Sequence, residues 1–245
     1  MKAKTVRVLT ILTALFSLGA AIYAAQVFAE NALSELYQKN TFLLWNDTAL
    51  SGGKPVCAAF YWKVRAKNSR GEISRSFYLS TGHVKTGRLV RDPNDDFTYR
   101  KTTVLFQINK SDFAPDFLVG TMSDERINPT YFKELTGNLK DSEPVFMAKI
   151  MPERGKTIEL QRLQMIEDRG DYLSFRSEYA AQEGMSGLPV VTGDGKLVGI
   201  FIGFLEDDPF IVYVMPMREV IKVYTFVSGD MKELGSKKPN AHGGH

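Results

Sequence analysis

The 245-residue chain is 44% hydrophobic and 24% charged, the balance of a globular protein able to bury a core and neither disordered nor collagen-like. Its net charge of +3 belongs to the first 29 residues, which carry Lys2, Lys4 and Arg7 and no acid. The remaining residues hold as many cations as acids, so no concentrated basic face points to nucleic acid, and the single cysteine, Cys57, excludes an intrachain disulfide.

The N-terminal segment has the pattern of an export leader. Three cations precede an apolar run from Val8 to Ala29 that closes on Val27-Phe28-Ala29. A signal peptide over 1–29 is expected. Cleavage is the favoured reading, because alanine and glycine crowd the second half of the run. The alternative is an uncleaved membrane anchor, since the run approaches the roughly 20 residues that span a bilayer. Either reading exports the rest of the chain, to a periplasmic or extracellular location or to an inner-membrane tether.

Residues 30–41 are expected to form a short helix with Leu33, Leu36 and Tyr37 on one face. Short apolar or alternating runs then dominate, at 56–66, 73–81, 87–91, 97–108, 116–122, 144–151, 157–166, 171–176, 188–192, 196–204 and 210–215. Glycine, asparagine, aspartate and proline separate them, as in Asn68-Ser69-Arg70-Gly71, Pro93-Asn94-Asp95-Asp96, Glu153-Arg154-Gly155 and Asp207-Asp208-Pro209. Many short strands with turn signals between them predict an all-β sandwich or barrel. Thr192-Gly193-Asp194-Gly195-Lys196 predicts a hairpin. Cys57, inside the run Val56 to Trp62, reads as a small buried core residue. The more polar stretch 123–142 is expected to link two halves, with a helical turn around Tyr131–Leu135. Met217 to Val227 reads as a closing helix. Residues 235–245 read as a flexible tail in which His242 and His245 are solvated. No P-loop, dinucleotide fingerprint or Cys-x-x-Cys pair occurs, and no metal or cofactor is expected.

Outside the tail, His83 is the only histidine, at the end of the run Phe77 to Gly82. Ser186 lies between Gly184 and Gly187, in a run that re-enters an apolar strand at Pro189-Val190-Val191. A serine hydroxyl needs a base to remove its proton and donors for the oxyanion of acyl transfer, and a glycine-rich turn can converge backbone N–H groups on one point. The lipase-type nucleophile elbow fits poorly, because position 188 is leucine and a strand follows. A carboxylate should orient the imidazole. Asp116 abuts the apolar run Phe117-Leu118-Val119 and is preferred; Asp112, before a proline-containing loop, competes with it. The resulting order, His83, Asp116, Ser186, is one of the known orders for this chemistry.

These segments resemble trypsin-like serine proteases of the HtrA type. Ser80-Thr81-Gly82-His83-Val84 is similar to their Thr-x-x-His-Val segment, and Asp116-Phe117-Leu118-Val119 to their Asp-led apolar segment. Gly184-Met185-Ser186-Gly187-Leu188-Pro189, followed by Gly193-Asp194-Gly195-Lys196-Leu197-Val198-Gly199-Ile200, resembles their nucleophile block. The resemblance covers about residues 45–226. It implies two packed antiparallel six-stranded β-barrels, the first about 45–122 and the second about 143–226, within a protease domain over 30–234. It also implies a serine endopeptidase acting on protein or peptide substrates, with Gly184 and Ser186 forming the oxyanion hole. The segment 178–183 would line the primary pocket. Ala180 and Ala181 there carry no charge, so uncharged side chains are expected at the cleaved position. Three features depart from the family. Leu188 replaces a glycine and is expected to narrow or reshape the cleft. Met185 replaces an aspartate or asparagine. The roughly 20 residues after the closing helix are too few for the PDZ domain that usually follows. These departures leave a silent trypsin-like binding module as an alternative, and an esterase using the same residues as another.

Overall fold

The structure is a computed structural model that describes residues 2–45, 57–68, 71–83, 89–91, 99–109, 115–122, 131–135, 139–140, 143–149 and 158–225. Lys2–Asn40 form one helix, α1, where the sequence suggests a leader and a separate short helix. Between residues 2 and 40 there is no proline and one glycine, Gly19, so nothing interrupts the helical hydrogen bonds at residue 29. The two ends of α1 differ in surroundings. Side chains of residues 13–29 are exposed, whereas Leu33, Ser34 and Tyr37 are buried.

Thr41 leaves the helix and opens a strand that the sequence reading did not separate from it. β1 (Thr41–Trp45), β2 (Cys57–Asn68), β3 (Gly71–Ser80), β4 (Leu89–Arg91), β5 (Tyr99–Asn109) and β6 (Asp116–Met122) close into a barrel in the order β1-β2-β3-β6-β5-β4. Side chains alternate along β2. Cys57 and Ala59 pack with Phe42, Leu44, Tyr78 and Leu118. Ala58, Phe60 and Trp62 face the opposite way, into a larger apolar cluster shared with the second half of the chain.

That second half contains β8 (Val145–Ala148), β9 (Leu160–Asp168), β10 (Leu173–Ser177), β11 (Pro189–Thr192), β12 (Lys196–Leu205) and β13 (Asp208–Pro216). Because β11 pairs with both β8 and β12, these six strands also form a ring, in the order β11-β8-β9-β10-β13-β12. The two six-stranded barrels inferred from the resemblance are therefore present. The predicted hairpin turn at 193–195 joins β11 to β12.

The helical turn expected at 131–135 is instead an extended segment containing β7 (Lys133–Glu134), which pairs in parallel with the start of β12. Extension lets Lys133 and Glu134 pair with Lys196 and Leu197, which a helical turn would not do, and Phe132 beside them reaches the core. The closing helix, α2, covers 217–225. It returns to the first barrel, where the Tyr224 ring meets Trp62 at 5.2 Å and Phe77 at 5.7 Å between centroids. The 235–245 tail, with His242 and His245, lies outside the described residues.

Candidate active site

Strand register brings the first two candidate residues together. β3 and β6 run antiparallel with Ser80 opposite Leu118, so two residues further along β3 the chain stands beside Asp116. Gly82 occupies that place, and a Cβ there would fall 1.8 Å from the Ile108 carbonyl oxygen and 2.9 Å from that of Phe117. Only glycine lets β3 pass so close to β5 and β6. The Gln107 amide donates to the Gly82 carbonyl at 2.6 Å and fixes the chain just before His83.

His83 Nδ1 and Asp116 Oδ2 are consequently 2.5 Å apart. The His83 side chain is 38% exposed and that of Asp116 10%, so the imidazole presents an edge to solvent while the carboxylate is enclosed behind it. Asp116 Oδ1 is buried and has no partner among the described residues. Asp112, the competing carboxylate, lies outside the described residues.

Ser186 sits in a turn held by backbone bonds on every side. Its carbonyl accepts the Ala58 N–H at 2.7 Å, a bond that crosses from the second barrel to β2 of the first. The Gly187 N–H donates to Phe201 O at 2.8 Å, Leu188 N–H to Met185 O at 3.1 Å, and Met185 N–H to Gln182 O at 3.3 Å. Gly187 has φ +91°, and a Cβ there would stand 1.9 Å from Ala58 O and 2.6 Å from Ser80 Oγ. The close seam between the barrels therefore requires glycine at 187. Ser80 Oγ donates to Ala58 O at 2.6 Å, which ties the end of β3 to the strand that holds Ser186.

Gly184 has φ +86°. The N–H groups of Gly184 and Ser186 find no acceptor among the described residues, unlike the N–H groups of residues 185, 187 and 188 that alternate with or follow them. Ser186 Oγ makes no hydrogen bond to His83 among the described residues. Met185 is buried, and its Sδ accepts the Gln182 N–H at 3.3 Å, which braces the turn from below. Leu188 is wholly buried in the shared core, so the side chain expected to reshape the cleft fills the interior instead.

The segment before the turn rests on Gln161, a fully buried polar residue on an inward position of β9. Gln161 Oε1 accepts the Tyr179 N–H at 3.1 Å and the Ser177 hydroxyl at 2.5 Å. Ala180 is half-buried. Ala181 is buried, with its N–H donating to Pro209 O at 2.8 Å. Sequence reading passed over Gln107 and Gln161, and gave Ser80 and Gly82 no role of their own. Gln161 carries a usable signal, since it stands in phase with the inward Leu163 of β9, whereas Gln107 is one of several polar residues of β5.

Cys57 is buried, and burial pushes its thiol up to about 12, with a Ser80 contact pulling the other way. A thiol so held stays protonated and is no nucleophile at neutral pH. Among the described residues no cluster of histidine, cysteine, aspartate and glutamate could hold a metal.

No family model matches the chain, and no curated protein matches it in sequence. Solved structures do. The active form of the Rv3671c protease from M. tuberculosis superposes with a TM-score of 0.50 at 14% identity, over 88% of this chain and 89% of its own. The serine endoprotease from Yersinia pestis gives 0.57 at 14% identity, over 80% of this chain and 65% of its own. Kallikrein-related peptidase 10 gives 0.53 at 14% identity, over 78% and 97%. Two of these are proteases by name and the third a peptidase. With two six-stranded barrels meeting at the Ala58–Ser186 bond, the chain has the chymotrypsin-like fold.

Proposed function

We propose that the chain is a serine endopeptidase in which Ser186, His83 and Asp116 act together. In this reading Ser186 Oγ attacks the scissile carbonyl as His83 Nε2 takes its proton. Asp116 holds the Nδ1 proton and stabilises the imidazolium. The unpaired N–H groups of Gly184 and Ser186 receive the oxyanion of the tetrahedral intermediate. His83 then returns the proton to the leaving amine, and water releases the acyl group by the same steps. The observation that carries the reading is the 2.5 Å contact between His83 Nδ1 and Asp116 Oδ2, made at the barrel seam to which the Ser186 turn is fastened. The uncharged Ala180 and Ala181 support a preference for uncharged side chains at the cleaved position. The chain is read as exported, and the apolar N-terminal helix is consistent with a signal peptide and with a membrane anchor.

The missing Ser186–His83 hydrogen bond favours the second reading, a binding module without turnover. Catalytic hydrogen bonds are often long before substrate binds, so this absence alone does not decide. Fluorophosphonate labelling and hydrolysis of unfolded casein separate the two. The wild type is expected to be labelled at Ser186 and to cleave casein, and Ser186→Ala to do neither. Equal labelling of both proteins would remove Ser186 as nucleophile, and an unlabelled wild type that binds peptides would favour the binding module.

A further inference from the structure

The Ser186 turn is held mainly by backbone, and at its far end the bonding changes character. Ser186 O is held by Ala58, Gly187 N–H by Phe201 O, and Leu188 O by the Phe201 N–H at 2.9 Å. The next carbonyl, that of Pro189, accepts from the hydroxyl of Tyr37, which belongs to α1 and to neither barrel. The same hydroxyl lies 3.3 Å from Phe146 O on β8, the strand that pairs with β11 at Val191. Tyr37 is fully buried, and burial raises its hydroxyl well above the ordinary tyrosine value, so it remains a donor at any physiological pH. Its ring meets Phe132 edge-on at 5.3 Å, and Phe132 meets Phe60 at 6.1 Å, two residues along β2 from Ala58. One side chain thus touches the nucleophile strand directly and, through one aromatic ring, the strand that grips Ser186 from the other barrel.

Pro189 has no N–H to give, so its carbonyl is the backbone polar group by which this residue can be fixed. Without the Tyr37 hydroxyl that buried carbonyl would lose its side-chain donor, three residues from Ser186, and the peptide plane would be held less firmly. We infer that Tyr37 is a positioning residue for the nucleophile turn, and that the last turns of α1 are a working part of the protease rather than a stalk. The activity arm of this inference rests on the reading of Ser186 as nucleophile; the structural arm does not.

The test compares two single changes in the full chain, held in detergent micelles. Tyr37→Phe keeps the ring and deletes the hydroxyl. Ser34→Ala deletes the neighbouring bond from α1 to the barrel, the Ser34 hydroxyl on Ile158 O at the entrance to β9, away from the nucleophile strand. Both should lower the melting temperature. At a temperature where both are fully folded, Tyr37→Phe is expected to reduce kcat and the fluorophosphonate labelling rate about tenfold or more with KM nearly unchanged, and Ser34→Ala to leave both rates near wild type. Amide hydrogen exchange at residues 184–188 gives a readout independent of turnover, and it should quicken in Tyr37→Phe and not in Ser34→Ala. Equal kcat in the two variants, with unchanged exchange over 184–188, would make Tyr37 a mere anchor and overturn the inference. Faster exchange in Tyr37→Phe beside a wild type that neither labels nor hydrolyses would instead overturn the reading of Ser186 and leave the positioning role standing.

Discussion

Asp116 commits one oxygen to His83 and leaves the other, Oδ1, enclosed without a partner among the described residues. The orientation of the imidazole therefore hangs on a single 2.5 Å bond. Asp116→Asn keeps the shape and turns the acceptor into an amide whose NH2 can donate to Nδ1. That would move the ring proton to Nε2, where the base lone pair is needed. The expected result is a fall in kcat of about 10⁴ with a near-normal melting temperature, the loss seen for the same change in the chymotrypsin-type template. A loss of less than about tenfold would show that Asp116 does not orient the base. His83 was legible in the sequence because no other histidine lies outside the tail, and Ser186 because of its flanking glycines. Spacing did not decide between Asp112 and Asp116, since both precede the same apolar run. Strand register, with Ser80 opposite Leu118, places Asp116 beside the chain after Gly82, while Asp112 lies outside the described residues.

At the scale of elements, the hairpin between β11 and β12 shows how local chemistry supports the nucleophile strand. Asp194 Oδ2 pairs with Lys196 Nζ at 2.8 Å, and Oδ1 accepts the Thr192 hydroxyl at 2.5 Å. The Lys196 ammonium first, and the Thr192 hydroxyl second, hold the Asp194 carboxyl below its ordinary range against a small opposing effect of burial. A carboxyl depressed in the folded state adds stability above its unfolded value, roughly 3.9, and that increment is lost as pH falls through the folded value. Asp194→Asn should therefore cost stability at pH 7 and almost none near pH 2. The pair is half-exposed, so the cost at pH 7 is expected to be below about 1 kcal/mol. Melting curves at the two pH values check this, and an equal loss at both would mean that packing, not charge, is responsible. The hairpin and the strands around it were legible because turn residues punctuate apolar runs. β1 was not, because the apolar Phe42-Leu43-Leu44-Trp45 follows the helical face of Leu33, Leu36 and Tyr37 closely, although Lys39-Asn40 marks the helix end between them. β7 was not, because two residues carry no period and its place is set by the distant Lys196 and Leu197.

Taken as a whole, the molecule has one helix with two environments. From Leu33 to Tyr37, α1 packs against the second barrel, where Leu36 Cδ2 also lies 3.1 Å from where a Cβ on Gly195 would be. From residue 13 to 29 the same helix is exposed on all sides, with Phe16 81%, Tyr23 71% and Phe28 76% exposed and no charged residue. Water is a poor solvent for such a surface, and neither barrel covers it. Val8 to Ala29 is about 33 Å of helix, close to the hydrocarbon thickness of a bilayer. In a bilayer, Lys2, Lys4 and Arg7 at one end would orient it with that end in the cytoplasm and the barrels outside. Cutting after Ala29 would open a continuous helix one turn before its first docked residue, Leu33. The intact chain is therefore expected in the membrane fraction, resistant to alkaline carbonate, at a mass that includes residues 1–29. Residues 30–245 expressed alone should be soluble and, since they keep Ser34 and Tyr37, should retain the labelling rate of the full chain. A carbonate-soluble protein starting at Glu30 as the native product would reverse this order and make residues 1–29 a leader that is removed once the barrels have been exported.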